Sequence, residues 1–268
     1  MIEQIAHLGL VEEDDIELDR AALEIAALDH PKAALAPYLD LLDEMEERLR
    51  NRAPRARGAG VQGDALAEVL GAEFGFVGDS ETYDAPANAD LIRVLDRRLG
   101  LPVALAILYV AMARRLGWTA HALNTPRHVL VGIGRPGSLL VDPFNRGAFV
   151  GREQLASLLR AAPQELRAIA SAQVAPMSNR TVLVRLMMNQ ATRAEQAGRT
   201  ARALVVMQRI TTVAPAHSAG WWARARLEQL RGDTAAARCS LSAMLETTRD
   251  EAVRAQVIGA LDELARHG

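Results

Sequence analysis

The segment RRLGLPVALAILYVAMARRLGW, residues 97–118, constrains this chain more than any other. Leu101 to Ala113 carries no charge, so a helix formed there is apolar on almost every face. In water such a helix must be central and surrounded. Pro102 suits its first turn, where a missing N–H costs nothing, and Gly117 suits the position just past its end. The apolar run falls short of the roughly 20 residues needed to cross a bilayer. The rest of the chain therefore has to wrap it, and 268 residues leave room for a second domain as well.

What could do the wrapping is mostly helical. Ala, Leu and Arg dominate and only 4% of residues are aromatic, a balance that favours helices over sheets. Within residues 15–50, ELDRAALEIAALDHP and APYLDLLDEMEERLR both show helical spacing, and Pro31 separates them. NRAPRARGAGVQGD reads as a basic, Gly-rich linker, with Asp64 capping a short helix that runs through Leu70. ADLIRVLDRRLG is a short amphipathic helix ending at Gly100. After the central helix, WTAHALN, RHVLVGI and SLLVDPF read as strands, with GRPGS as a turn. One helix packed on a small antiparallel sheet is the simplest burial for these pieces.

From Met177 onward the pattern is helix after helix. Gly198 and Gly232 are 34 residues apart, and Ala203 and Ala237 share that offset. Trp221 stands eleven residues before the second glycine and Pro215 seventeen after the first, the places of the leading aromatic and closing proline of a tetratricopeptide repeat. Two degenerate units and a final helix are expected to pack on the preceding domain. The expected organisation is N-terminal helices over 1–62, an α+β domain over 63–172 and a helical repeat tail over 173–268.

Several function classes are disfavoured. A net charge of −2 gives no global pull toward nucleic acid or anionic membrane. Cys239 is the only cysteine, so no intrachain disulfide or cysteine metal cluster can form. His121 and His128 lack a third ligand, no phosphate-binding glycine loop occurs, and no metal or cofactor is expected. The N-terminus has no basic region ahead of an apolar run, which points to a cytoplasmic protein.

The residues that suggest chemistry are His128 and Asp142, on two neighbouring strands. Side by side, the carboxylate would fix the imidazole tautomer and leave the other nitrogen for proton transfer. The alternative is a histidine satisfied by a carbonyl and an aspartate capping the turn into Pro143. LIRVLDRRLGLPVALAILYVAMARRLGW, NTPRHVLVG and LLVDPFNRG together resemble the core of the transglutaminase-like superfamily, with its papain-like arrangement. More closely they resemble bacterial SirB-type proteins, in which that domain precedes tetratricopeptide-like helices. One departure is Arg127, where such proteins tend to carry glycine.

Active members of the superfamily place a cysteine at the start of the central helix, fifteen residues before its closing glycine. Counted back from Gly117, that position is Pro102. A helix N-terminus favours a thiolate, and a nearby histidine would hold its proton; proline supplies no nucleophile. Cys239 is read as a small buried hydrophobe of the repeat helices, and Ser138 as turn chemistry away from His128. The resemblance thus implies a vestigial His128–Asp142 pair, with Asn124, Arg127, Asn145 and Trp222 as candidate binding residues. The expected activity is non-catalytic binding of a protein or peptide partner. The alternative is a hydrolase or acyl-transfer enzyme that uses His128 and Asp142 without a cysteine.

Overall fold

A computed structural model describes residues 2–125, 128–135, 139–160 and 175–267. The chain divides into two compact units: Glu13–Leu183, and Met1–Glu12 together with Val184–Gly268. The architecture is α+β and mostly helical. No helix among the described residues is long and apolar enough to cross a membrane.

The unit Glu13–Leu183 is built on the apolar segment. Helices α1 (Leu18–Ala27), α2 (Ala36–Arg52), α3 (Ala59–Leu66) and α4 (Leu91–Arg97) precede the central α5 (Pro102–Arg115). Every residue of α5 from Pro102 to Ala113 is buried. Strands β1 (Val77–Gly78) and β2 (Leu99–Gly100) form a two-residue parallel pair. Strands β3 (Ala120–Thr125), β4 (His128–Ile133), β5 (Leu139–Asp142) and β6 (Ala148–Phe149) follow as an antiparallel meander in that order. The buried face of β3 and β4 packs on α5. Met177 N–H donates to Ala122 O at 2.8 Å, so later chain covers one edge of the sheet. Helix α6 (Arg152–Arg160) follows β6.

Two expectations for this unit are corrected. The glycine-rich stretch Ala59–Leu66 is a helix rather than a linker, and Asp64 lies inside it instead of capping a helix. Packing outweighs propensity there. Gly63 is buried so closely on β5 that an added Cβ would sit 2.5 Å from Leu139 Cδ2. The helix then widens into π-helical Ala67–Glu73. The helix expected to reach Gly100 stops at Arg97, because Arg98 takes the left-handed conformation (φ 61°). Its guanidinium stacks over Phe76, 4.9 Å from the ring centroid, and Leu99–Gly100 is released to pair as β2.

The other unit is helical. Helix α7 (Asn179–Gln196) runs into it, followed by α8 (Thr200–Val213), α9 (Ser218–Leu230), α10 (Thr234–Thr247) and α11 (Glu251–His267). Gly198 and Gly232 take positive φ (69° and 77°) in the tight turns before α8 and α10. Asp233 caps α10 through Ala236 N at 2.9 Å. Ala225, Ala237, Leu241, Met244 and Val257 form a core with Trp221 against it. The 3₁₀ helix Ile2–Gly9 also belongs here. Ile5 and Leu8 are buried, and Gly9 lies so close to the Thr212 carbonyl of α8 that a Cβ would collide with it.

Candidate functional site

His128 opens β4 and Asp142 closes β5. Val131 pairs with Val141, so one more step of the ladder sets Leu130 opposite Asp142. His128 is two residues further along, on the same face as the residue opposite Asp142. This diagonal brings His128 Nε2 to 2.8 Å from Asp142 Oδ1. The same oxygen accepts Phe144 N–H at 3.0 Å, and Oδ2 accepts Asn145 Nδ2 at 2.5 Å. Asp142 thus pairs with the histidine and caps the 3₁₀ turn Pro143–Asn145 at the same time.

Burial of Asp142 works against its ionisation, yet the bonds from His128, Asn145 and Phe144 hold its carboxyl below the usual carboxylate range. A neutral imidazole that donates from Nε2 carries its lone pair on Nδ1, the state a general base requires. The Phe144 ring meets the His128 ring edge-on at 5.9 Å and Tyr83 at the same centroid distance. Gly78 lies flat beneath Phe144, where any Cβ would collide with the ring. Under the turn, Gly147 (φ 78°) leaves room for Tyr109, whose buried hydroxyl has no hydrogen-bond partner among the described residues. Burial, reinforced by the Asp142 charge, pushes the Tyr109 phenol well above its ordinary range.

The loop that carries Tyr83 is held by polar residues that the sequence pattern did not single out. Asp79 accepts from the Thr82 hydroxyl at 2.6 Å and from Arg97 at 2.9 Å. Fully buried Asn88 receives Arg97 on its oxygen at 2.8 Å and donates to the Thr82 carbonyl at 2.7 Å. The Thr82 and Arg97 bonds keep Asp79 ionised far below the ordinary range. Asn88 O in turn accepts Leu101 N–H at 2.9 Å, tying this loop to the entrance of α5.

Pro102 occupies the first position of α5 and is buried, as are Leu101 and Val103–Ala106. None of these residues carries a thiol or hydroxyl. Asn145 joins the His128–Asp142 pair as a ligand of the carboxylate. Asn124 is an exposed residue of β3 opposite Val129, and Trp222 on α9 is 41% exposed in the other unit. Pro126, Arg127 and Ser138 lie outside the described residues.

Cys239 corrects an expectation. It is exposed, because α10 turns Ala237, Ser240, Leu241 and Met244 inward and leaves Cys239 on the outer face. His121 does not lie beside His128. It pairs with Gly132, whereas His128 pairs with Thr125, placing them four residues apart along the hairpin, roughly 13 Å. No group of His, Cys, Asp and Glu among the described residues could hold a metal ion. A second histidine–carboxylate pair has no signal in local sequence: His30 Nε2 lies 2.6 Å from Asp90 Oδ2, and Asp90 Oδ1 caps α4 through Arg93 N.

Comparison with known proteins agrees with this architecture. Residues 36–188 match the family model described as the transglutaminase-like superfamily. A UPF0162 protein of Xylella fastidiosa is 32% identical over 200 residues, covering 70% of each chain. A UPF0162 protein of Pseudomonas aeruginosa is 28% identical over 261 residues, 97% of this chain and 95% of its own. The mouse F-box only protein 21 is 35% identical over 93 residues, 31% of this chain and 15% of its own length. With a central buried helix against a small sheet, and a family model matching more than half of its length, the chain belongs to the transglutaminase-like superfamily.

Proposed function

We propose that this chain is a non-catalytic member of its superfamily that binds a protein or peptide in a regulatory role, with a SirB-type arrangement. The observation that carries this reading is Pro102. In thiol acyl transfer the attacking sulfur is activated by a helix N-terminus and a histidine together. Here the first position of α5 is a ring without a donor, and the rest of its first turn is buried hydrocarbon. A His–Asp pair without an attacking atom cannot form an acyl-enzyme.

The helices after residue 198 are read as two tetratricopeptide-like units and a closing helix. Left-handed glycines at equivalent turns support this, as does the Trp221 indole donating to Pro215 O at 2.8 Å, which joins the leading aromatic of one unit to the closing proline of the other. Such repeats commonly present a recognition surface. The test is affinity capture on the purified full chain followed by direct titration of the retained partner. A specific partner that binds wild type and His128→Ala equally supports the proposal. No specific partner, combined with loss of a cellular activity in His128→Ala, overturns it.

One observation favours a second reading. His128 is oriented by an ionised, triply hydrogen-bonded carboxylate, so it could deprotonate water directly. That reading calls for amide- or ester-bond hydrolysis that falls at least tenfold in Asp142→Asn. Hydrolysis unchanged by that substitution removes it.

A further inference from the structure

Helices α2 and α5 end in arginines: Arg50 and Arg52 in one last turn, Arg114 and Arg115 in the other. Cations are favoured at such ends. Beside them is a cavity of about 600 Å³ lined by Arg50, Pro54, Arg55, Arg57, Arg115 and Trp118, among others, with no carboxylate in its wall. None of the residues of the His128–Asp142 site lines it.

Two of the four arginines already have partners. Arg50 pairs with Glu46, and Arg115 is shared by Asp19 Oδ2 (2.8 Å), Asp43 Oδ1 (2.9 Å) and Glu46 Oε2 (3.0 Å). Arg55 and Arg57 differ. They lie beyond the last turn of α2, are exposed, and have no carboxylate partner among the described residues. Neither a helix terminus nor an ion pair explains them.

Trp118 is delivered by the way α5 stops. Gly117 takes φ 74°, its N–H donates to Arg114 O at 2.9 Å, and Trp118 N–H reaches back to Ala113 O at 3.0 Å. This paired closure folds the chain over the helix end and sets the half-buried indole in the same wall as the arginines.

We infer that this cavity binds a phosphomonoester carrying a planar ring, with Arg55 and Arg57 on the phosphate and Trp118 against the ring. Two uncommitted guanidinium groups match a phosphate dianion in charge, and their planar forks match its oxygens. The volume lies within the range of small-ligand sites. An indole beside that anion site rewards a flat, polarisable body over a bare ion.

The test uses the full chain and three probes: adenosine monophosphate, O-phosphotyrosine and inorganic phosphate. Binding is followed by tryptophan fluorescence and calorimetry. Trp118→Phe isolates the signal of Trp118 from the other two tryptophans. At least one ring-bearing ester should bind at least tenfold more tightly than inorganic phosphate. It should weaken tenfold or more in Arg55→Ala and in Arg57→Ala, and weaken as salt is raised. Binding of the nucleotide alone identifies a small-molecule site, and binding of phosphotyrosine alone identifies a modified side chain as the source. Equal binding of inorganic phosphate, wild-type affinity in both arginine variants, or no saturation up to about 1 mM overturns the inference.

Discussion

His30–Asp90 and His128–Asp142 are nearly the same object in two places. Each joins Nε2 to a carboxylate oxygen, at 2.6 Å and 2.8 Å, with both histidine side chains mostly buried. In each, the aspartate also caps a helical turn, α4 in one case and Pro143–Asn145 in the other. The first pair ties the link between α1 and α2 to the start of α4. The second differs in two respects: Asp142 receives three side-chain-directed donors, and its histidine is walled by Phe144. A short His–Asp bond thus ties a loop to a cap at two places in this chain. Whether such a pair does chemistry depends on an attacking group beside it, a side chain or a water, and Pro102 supplies no such side chain.

Removing each carboxylate tests that comparison. Asp142→Ala leaves His128 Nε2, Phe144 N and Asn145 Nδ2 without their acceptor and should cost about 3 kcal/mol in urea unfolding. Asp90→Ala loses one cap and one histidine contact, about 1–2 kcal/mol. If Asp90→Ala proves the more costly, the contrast between the two pairs is wrong. The pH dependence sharpens it further. The Asp142 carboxyl titrates lower in the folded chain than in the unfolded one, so its contribution is complete above the unfolded pKa of about 4 and fades as pH falls through the folded value. The stability gap between wild type and Asp142→Asn, measured by urea titration, should therefore narrow from pH 7 to pH 3. At the far end of the scale, Arg55→Ala and Arg57→Ala remove side chains with no ion-pair partner among the described residues and should change unfolding free energy by less than about 0.5 kcal/mol.

The central helix was legible because its signal is local: an uncharged run, a proline at one end and a glycine at the other. His128 and Asp142 were legible for a related reason, since two adjacent strands bring together residues 14 apart in sequence. His30 and Asp90 are 60 apart and meet only through the packing of α1 against α4, which no local pattern encodes. Gly63 of α3 misled in the opposite sense. A glycine in that setting reads as a loop, but its smallness lets the helix approach β5 closely. Cys239 shows the limit of composition, because its residue type favours burial while its angular position on α10 places it outside.

The burial of Ile5 and Leu8 against α8 joins residues far apart in the order of translation. Roughly 200 residues of synthesis, on the order of ten to forty seconds, separate the two. Until α8 emerges, the early segment has no seat and exposes an apolar stripe to whatever surrounds the ribosome. Assembly of that unit is thereby deferred until α8 has been made.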